Sequence, residues 1–367
     1  MTRVLVDLLF YTGTKGGMES YAREVYSRIG AFAPGVEFIG FASRELAATG
    51  APWFPGALVD SGISGESRAA WAWGELTAVG RSAVRLSADV IHSPANIGPW
   101  RSAVPLVVTT HDMLPFRFPQ YVPGPYAPVL RALMRFTARA ATRVITISDA
   151  SRAEIEQFVP QVRGRIDVIP LAGSARAATI PVPRRRDLIL ALGNRLPHKN
   201  FAGLIRSLAL IDPAERPTLV VSGSRGDDPL TPLVAELGLT DSVRLEGWIS
   251  DDALDDLFAS AGAVVVPSFV EGFGLPALEA MAHGCPVLCA DIPALREVAS
   301  DATAYFDPAD PASIAATISA TLADPALLER MSRDGLTRSA LFSWDHTAEL
   351  TARSLLAAAR VQPRDAV

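Results

Sequence analysis

Pro267-Ser-Phe-Val-Glu271-Gly-Phe-Gly-Leu-Pro-Ala-Leu-Glu279-Ala-Met-Ala-His-Gly-Cys-Pro-Val287 is the stretch whose reading decides the fold of this 367-residue chain. Before it, the apolar run 263–266 has the composition of a buried parallel strand; a turn bearing Gly272 and Gly274 follows. Pro276 then falls in a first helical turn, where its missing N–H costs nothing. The order is therefore strand, tight loop and helix start. Glu271 stands before the loop, and Glu279 lies on the second or third turn of a helix beginning near Leu275, over the same end of the sheet. A helix N-terminus preceded by glycines presents backbone N–H groups and the positive end of its dipole, which suits phosphate. The chemistry this suggests is a phosphorylated ligand whose hydroxyls meet two glutamates. Two other readings stand beside it. One is a solvated turn with Glu279 exposed. The other is a dinucleotide fold, because Gly272-Phe-Gly274-Leu-Pro-Ala277 fits the glycine fingerprint and Asp291 follows. That fingerprint normally opens its domain, whereas here several strand-like segments of the same half precede it.

Working outward, the length predicts two domains, since single cores stop growing well before this size. A hydrophobic fraction of 49% and a charged fraction of 20% are those of a soluble globular protein, and a net charge of −5 gives no sign of general nucleic-acid binding. Cys285 and Cys289 flank a predicted strand, whose extended geometry holds them too far apart for a bridge. A metal site would need more ligands, so reduced thiols in a cytoplasmic protein are expected. Residues 4–10 are apolar but short and carry Asp7, which predicts a first strand instead of a signal peptide. No apolar run approaches the length of a membrane span, so any membrane contact is expected to be peripheral.

Short apolar runs alternate with helical patterns almost throughout, which predicts an α/β chain with parallel sheets covered by helices. In the first half, strands are expected at 4–10, 36–41, 89–92, 104–109, 144–147 and 166–169. Prolines, small residues and Arg184-Arg185-Arg186 then break the rhythm, marking 171–187 as a linker. The alternation restarts with strands at 188–192, 218–222, 243–246, 263–266, 287–290 and 303–306, followed by helical segments over 311–360. Two doubly wound domains, 1–170 and 188–342, facing each other across a cleft would place ligands at the carboxyl ends of their strands.

With these residues assembled, the chain resembles the retaining glycosyltransferases of family four, whose GT-B architecture has two facing Rossmann-like domains. The most specific part is the pair Glu271 and Glu279, seven residues between them, with Gly-Phe-Gly-Leu-Pro directly after the first. The resemblance implies that Glu271 contacts the donor sugar, that the backbone of Gly272, Phe273, Gly274 and Leu275 serves sugar and phosphate, and that Glu279 holds the ribose. Gly13-Thr-Lys-Gly16-Gly17-Met-Glu19-Ser-Tyr21 is similar to the family's N-terminal diglycine loop. There the backbone at Gly16 and Gly17 approaches the diphosphate, only glycine allowing so close a pass, and Glu19 falls on the acceptor side. His111-Asp112 ends a strand; His111 is implied to position the donor sugar and Asp112 to face the acceptor. Gly193-Asn194-Arg195-Leu-Pro-His-Lys199-Asn200 follows a strand, and Lys199 is implied to pair with the diphosphate as a point charge. Here the chain departs from the family: Asn194 stands where many relatives carry Arg, and the Arg comes one residue later. Arg195 is then either a phosphate ligand or a plain surface arginine. The tail 343–367, opened by Phe342-Ser-Trp344, is implied to cross back onto the first domain, with Trp344 as a packing anchor.

The reaction so implied moves a hexose from a nucleotide diphosphate sugar to an acceptor hydroxyl with retention, the catalytic residues being His111, Glu271 and Lys199. The sequence has no Asp-x-Asp dyad to hold a divalent metal, so metal-independent activity without a cofactor is expected. GDP-mannose is the first donor, because His111-Asp-Met-Leu-Pro115 followed by Phe118-Pro119 is similar to relatives that transfer mannose or rhamnose; UDP and dTDP sugars stay open. The loops at 222–228 and 247–250, expected to read the base, carry no decodable pattern. Arg131, Arg135 and Arg139 share one helical face, either solvated or attracted to an anionic membrane presenting a lipid-linked acceptor. Trp53, Trp71, Trp73 and Trp100 are core or sugar-stacking residues. Two further functions are weighed: a catalytically inactive nucleotide-sugar-binding partner subunit, motivated by Asn194, and an NAD-dependent oxidoreductase, motivated by Gly272 and Gly274.

Overall fold

The computed structural model describes residues 1–361 except 15, 123–125, 174–183 and 225, with the side chain of Asp251 also left out. The chain divides into two compact units, Met1–Leu171 with Trp344–Val367, and Ala172–Ser343. Most of the expected linker, 174–183, lies outside the described residues.

The first unit is built on a parallel sheet of Thr2–Leu8 (β1), Val36–Ala42 (β2), Ala57–Asp60 (β3), Val90–Ser93 (β4), Leu106–Thr110 (β5), Arg143–Thr146 (β6) and Ile166–Val168 (β7). Their order is β3-β2-β1-β4-β5-β6-β7, so strand order reverses between β1 and β4. Helices cover both faces, which is why β4 and β5 are wholly buried, including the polar His92, Ser93, Thr109 and Thr110 at their carboxyl ends. Leu5, Ile39, Ile91, Val108 and Val144 form the centre of the core. The sequence pattern missed β3. It is a four-residue edge strand, half exposed, and contributes too little burial to leave a hydrophobic signature.

The second unit repeats the plan with Arg185–Leu192 (β8), Thr218–Ser222 (β9), Val243–Leu245 (β10), Ala261–Val266 (β11), Val287–Ala290 (β12) and Ala304–Phe306 (β13). The order β10-β9-β8-β11-β12-β13 reverses between β8 and β11. Strand β8 takes in Arg185 to Asp187, residues whose charge read as linker; they are exposed, and only the strand from Leu188 onward is buried. The helical tail resolves into Pro311–Ala323, Pro325–Ser339 and Trp344–Ala359. The last of these belongs to the first unit. It buries Trp344, Thr347, Thr351, Leu355 and Ala358, one face at helical spacing. Thr347 donates to the Pro170 carbonyl at 2.7 Å, and Ser354 donates to Asp167 at 2.7 Å.

Candidate active site

In the second unit the two strands at the reversal, β8 and β11, deliver the two loops expected to carry chemistry. Lys199 ends the short 3-10 turn Pro197–Lys199, and its Nζ donates to Glu271 Oε1 at 2.8 Å and Oε2 at 3.1 Å. Both side chains are largely buried, at 16% and 10% exposure. Ser268 adds a hydroxyl bond to Glu271 Oε1 at 2.7 Å, a second donor on the oxygen that Lys199 approaches most closely. Backbone ties join the loops further. Phe269 N–H donates to the His198 carbonyl at 2.8 Å, and Asn200 Nδ2 donates to the carbonyls of Pro267 at 3.0 Å and Pro308 at 2.7 Å. Asn200 adopts a left-handed φ of 55° to do so, a conformation asparagine tolerates better than most residues. Ser268 and Asn200 were not among the candidates read from the sequence. Their only signals were a serine three residues before Glu271 and an asparagine ahead of a helical run.

Gly272 lies at the bend, and Phe273 is buried with its ring edge-on to Phe342 at 5.8 Å. Gly274 caps the helix Leu275–Ala282 with φ 109°, and a Cβ there would stand 2.5 Å from Leu295 Cδ2. The dihedral disfavours a side chain, and a Cβ would have to displace the methyl of buried Leu295. Leu275 is the first helical residue, and Glu279 follows one turn later, half-buried.

Arg195 does something other than bind phosphate. Nε pairs with Asp228 at 2.8 Å, Nη1 donates to the carbonyls of Gly193 and Ser222 at 3.1 Å each, and Nη2 donates to those of Val221 at 2.8 Å and Glu246 at 3.3 Å. The side chains of Arg195 and Asp228 are only 6% and 9% exposed. Every guanidinium N–H is therefore directed at a protein acceptor, so the donor-binding assignment of Arg195 is corrected to a structural one; nor is it a surface residue. Asn194 is exposed, and its Oδ1 accepts from Leu196 N–H at 3.3 Å, turning the loop locally.

In the first unit, Gly16 (φ 67°) caps the helix Gly17–Tyr26, with Gly17 as its first residue. Glu19 is buried and points back into the loop. Its Oε1 accepts from the N–H groups of Thr12 at 2.6 Å and Gly13 at 3.0 Å, so it holds the glycine loop in shape instead of standing open to an acceptor. Asp112 likewise takes the Leu114 N–H at 2.9 Å and starts the short helix Leu114–Arg117. His111 follows β5 and is buried. Its backbone N–H goes to Asn96 Oδ1 at 2.7 Å, Nε2 donates to the Pro94 carbonyl at 2.8 Å, and the ring meets Tyr21 edge-on at 5.0 Å. Because Nε2 must carry the proton for that bond, Nδ1 is the ring's acceptor. Burial lowers the pKa of His111 against the opposing pull of the Pro94 carbonyl and Asp112, keeping the ring neutral.

On the helix Tyr126–Ala140, Arg131 is half-buried, Arg135 and Arg139 are exposed, and Arg135 lies over the Phe116 ring at 4.9 Å. Of the tryptophans, Trp71 donates to Glu75 at 2.5 Å, Trp53 packs on Tyr11 at 5.3 Å, and Trp73 and Trp100 are exposed. Cys285 and Cys289 are free and buried, and burial pushes both thiols up to about 12. Among the described residues no cluster of acidic, histidine and cysteine side chains has the makings of a metal site, and no helix is long and apolar enough to cross a membrane.

Two Rossmann-like units, the second with a cation–carboxylate pair and a glycine-capped helix start where its strand order reverses, define the class of two-domain nucleotide-sugar transferases. Residues 15–172 match the family model "Glycosyltransferase Family 4" and residues 177–338 match "Glycosyl transferases group 1". The chain belongs to glycosyltransferase family 4. It is 35% identical over 261 residues to O-antigen chain mannosyltransferase B of Escherichia coli, covering 67% of this chain and 68% of that one. With the D-inositol 3-phosphate glycosyltransferase of Streptomyces avermitilis it shares 30% identity over 404 residues, 96% of this chain and 85% of that protein. Among solved structures, sucrose-phosphate synthase from Thermosynechococcus elongatus superposes with a TM-score of 0.74 at 21% identity, over 98% of this chain and 100% of that one, a likeness of fold. The dinucleotide reading of Gly272 and Gly274 falls with this result: their loop follows the fourth strand of its unit, β11, and serves a glycosyltransferase.

Proposed function

We propose that this glycosyltransferase moves a hexose, with GDP-mannose as the first candidate donor, onto an acceptor hydroxyl in the synthesis of a polysaccharide, glycolipid or other glycoconjugate, with retention and without a metal. The observation that carries the reading is the Lys199–Glu271 pair, held at 2.8 Å beside the Gly274-capped helix start. In cleavage of the donor, negative charge develops on the departing diphosphate. Two of the Lys199 N–H groups go to Glu271, leaving the remaining one for a phosphate oxygen, and the helix start adds its dipole. Groups fixed in advance stabilise that charge with little reorganisation, so no metal is required. Glu271 is assigned to the sugar, Glu279 to the ribose, and the backbone of Gly272 to Leu275 to the phosphates. In the first unit, Gly16 and Gly17 are assigned to the phosphates, and His111, with Nδ1 as its acceptor, is assigned to a donor hydroxyl. The likeness to an O-antigen mannosyltransferase supports mannose. Exposed Tyr126, Val129 and Phe136 accompany Arg135 and Arg139 on one helix, which supports an anionic membrane surface as the place where a lipid-linked acceptor is met.

The test is kinetic. With GDP-mannose and EDTA present, Lys199→Ala should lower kcat by about a hundredfold or more, the magnitude typical of losing one charge-stabilising donor. Glu279→Ala should instead weaken GDP binding. Unchanged kinetics in both variants would overturn the assignment, and activity that disappears with EDTA would overturn metal independence.

A further inference from the structure

The chemistry above gives no task to the turn that follows β4 in the first unit, yet that turn is strained and holds His111 at two points. Asn96 stands at a φ of 67°, a left-handed value that residues other than glycine seldom adopt, although asparagine tolerates it. Across it Ile97 N–H donates to the Ala95 carbonyl at 2.8 Å, closing a three-residue turn of the rare, strained hand. The surroundings impose this shape. Asn96 N–H donates to the Thr109 carbonyl at 2.9 Å, which lays the turn along the end of β5. At its far side Gly98 is gripped by Thr137 of the helix Tyr126–Ala140, whose hydroxyl accepts from Gly98 N–H at 3.0 Å and donates to the Gly98 carbonyl at 2.8 Å. A Cβ on Gly98 would stand 2.4 Å from Ser93 Oγ, so the turn is packed down on the strand before it. Strain of this kind persists only where neighbours over-determine it, and it gathers at functional sites.

Two bonds show what the turn holds. Asn96 Oδ1 accepts the His111 backbone N–H at 2.7 Å, and the Pro94 carbonyl, two residues earlier, accepts from Nε2 of the same histidine at 2.8 Å. Ser151 Oγ donates to the His111 carbonyl at 3.3 Å, and Tyr21 meets the ring edge-on at 5.0 Å. Main chain and ring are therefore fixed together, and Nδ1 is the polar atom these contacts leave for a ligand. Without Oδ1 the His111 N–H would lose its acceptor where the chain leaves β5, and the main chain would shift to find another. We infer that Asn96 is a positioning residue for the transfer: it holds the His111 main chain where the Pro94 carbonyl sets the Nε2–H tautomer, so that Nδ1 meets the donor as an acceptor. Glycine would adopt this φ at less cost, so what asparagine adds is the oxygen. The inference rests on the assignment of His111 to the donor.

The experiment measures release of nucleoside diphosphate from GDP-mannose, UDP-glucose and dTDP-rhamnose by the full chain, each variant being checked for folding by circular dichroism. Asn96→Gly, which keeps the turn and removes the oxygen, should lower kcat by about tenfold to a hundredfold, the range for a small misplacement of a reacting group, with the donor KM little changed. Asn96→Asp, which returns an acceptor oxygen to the same place, should recover most of that loss. His111→Ala should fall further, and Asn96→Gly added to it should have no additional effect, because a residue that acts through the ring has nothing to position once the ring is gone. If the turn served structure alone, the two losses would multiply. Equal kcat for wild type and Asn96→Gly, or multiplying losses in the double variant, would overturn the positioning role while leaving His111 its own. Should His111→Ala keep wild-type turnover, or wild type consume none of the three donors, the donor reading fails and this inference with it.

Discussion

His92 sits between two hydroxyls, with Tyr26 at 2.5 Å from Nδ1 and Thr109 at 2.9 Å from Nε2, an arrangement that a neutral ring satisfies as one donor and one acceptor. Burial, reinforced by neighbouring His111, pulls its pKa from 6.5 to about 3. Between those values the unfolded chain binds a proton that the folded chain does not. The stabilisation is thus complete above about pH 6.5 and is lost as pH falls, with a slope of about 1.4 kcal/mol per pH unit from this residue. Asp7, whose carboxyl burial raises, acts in the opposite sense and is common to both proteins compared. Urea unfolding at several pH values should therefore show a shallower acid loss for His92→Gln than for wild type. Parallel curves would refute the buried neutral histidine.

At the scale of one element, the helix Leu275–Ala282 depends on a residue outside it. Gly274 combines φ 109° with a space closed by Leu295, whereas Gly16, also at positive φ, has nothing within 4 Å of its would-be Cβ. Gly274→Ala meets both strain and overpacking and should cost about 2–4 kcal/mol; Gly16→Ala meets strain alone and should cost about 1 kcal/mol. Denaturant midpoints of the two variants measure the difference. Because Gly274 sets where the helix N-terminus points, its variant should also weaken pyrophosphate binding even under conditions where it remains folded.

For the whole molecule, the chain leaves its first unit near Leu171 and returns to it at Trp344. The returning helix fills a place in the first unit's core with Trp344, Ala348, Thr351 and Leu355, each 7% exposed or less. Tyr21, fully buried, is held by Thr109 at 3.2 Å and receives Thr351 as a further partner. Removing residues 344–367 should leave the second unit folded and the first without part of its core. Calorimetry of the truncated chain should show the loss or a large downward shift of one transition while another persists, together with exposed apolar surface detected by a hydrophobic dye. Two unaltered transitions would show that the helix is dispensable.

The sequence alone determined the alternation of buried strands with helices, the reversal loop with Glu271 and Glu279, and the glycines on which that loop turns. These depend on burial pattern and backbone freedom, which neighbouring residues record. Only the tertiary structure decided which side chains meet. Lys199 finds Glu271 across 72 positions, and Arg195 gathers carbonyls from loops up to 51 positions away, which turned an expected phosphate ligand into a staple. Glu19 and Asp112, expected on the acceptor side, satisfy backbone N–H groups a few residues away. A side chain's type fixes what it can bond, but the partner it bonds is fixed by the folding of distant segments onto one sheet edge, and no local pattern carries that information.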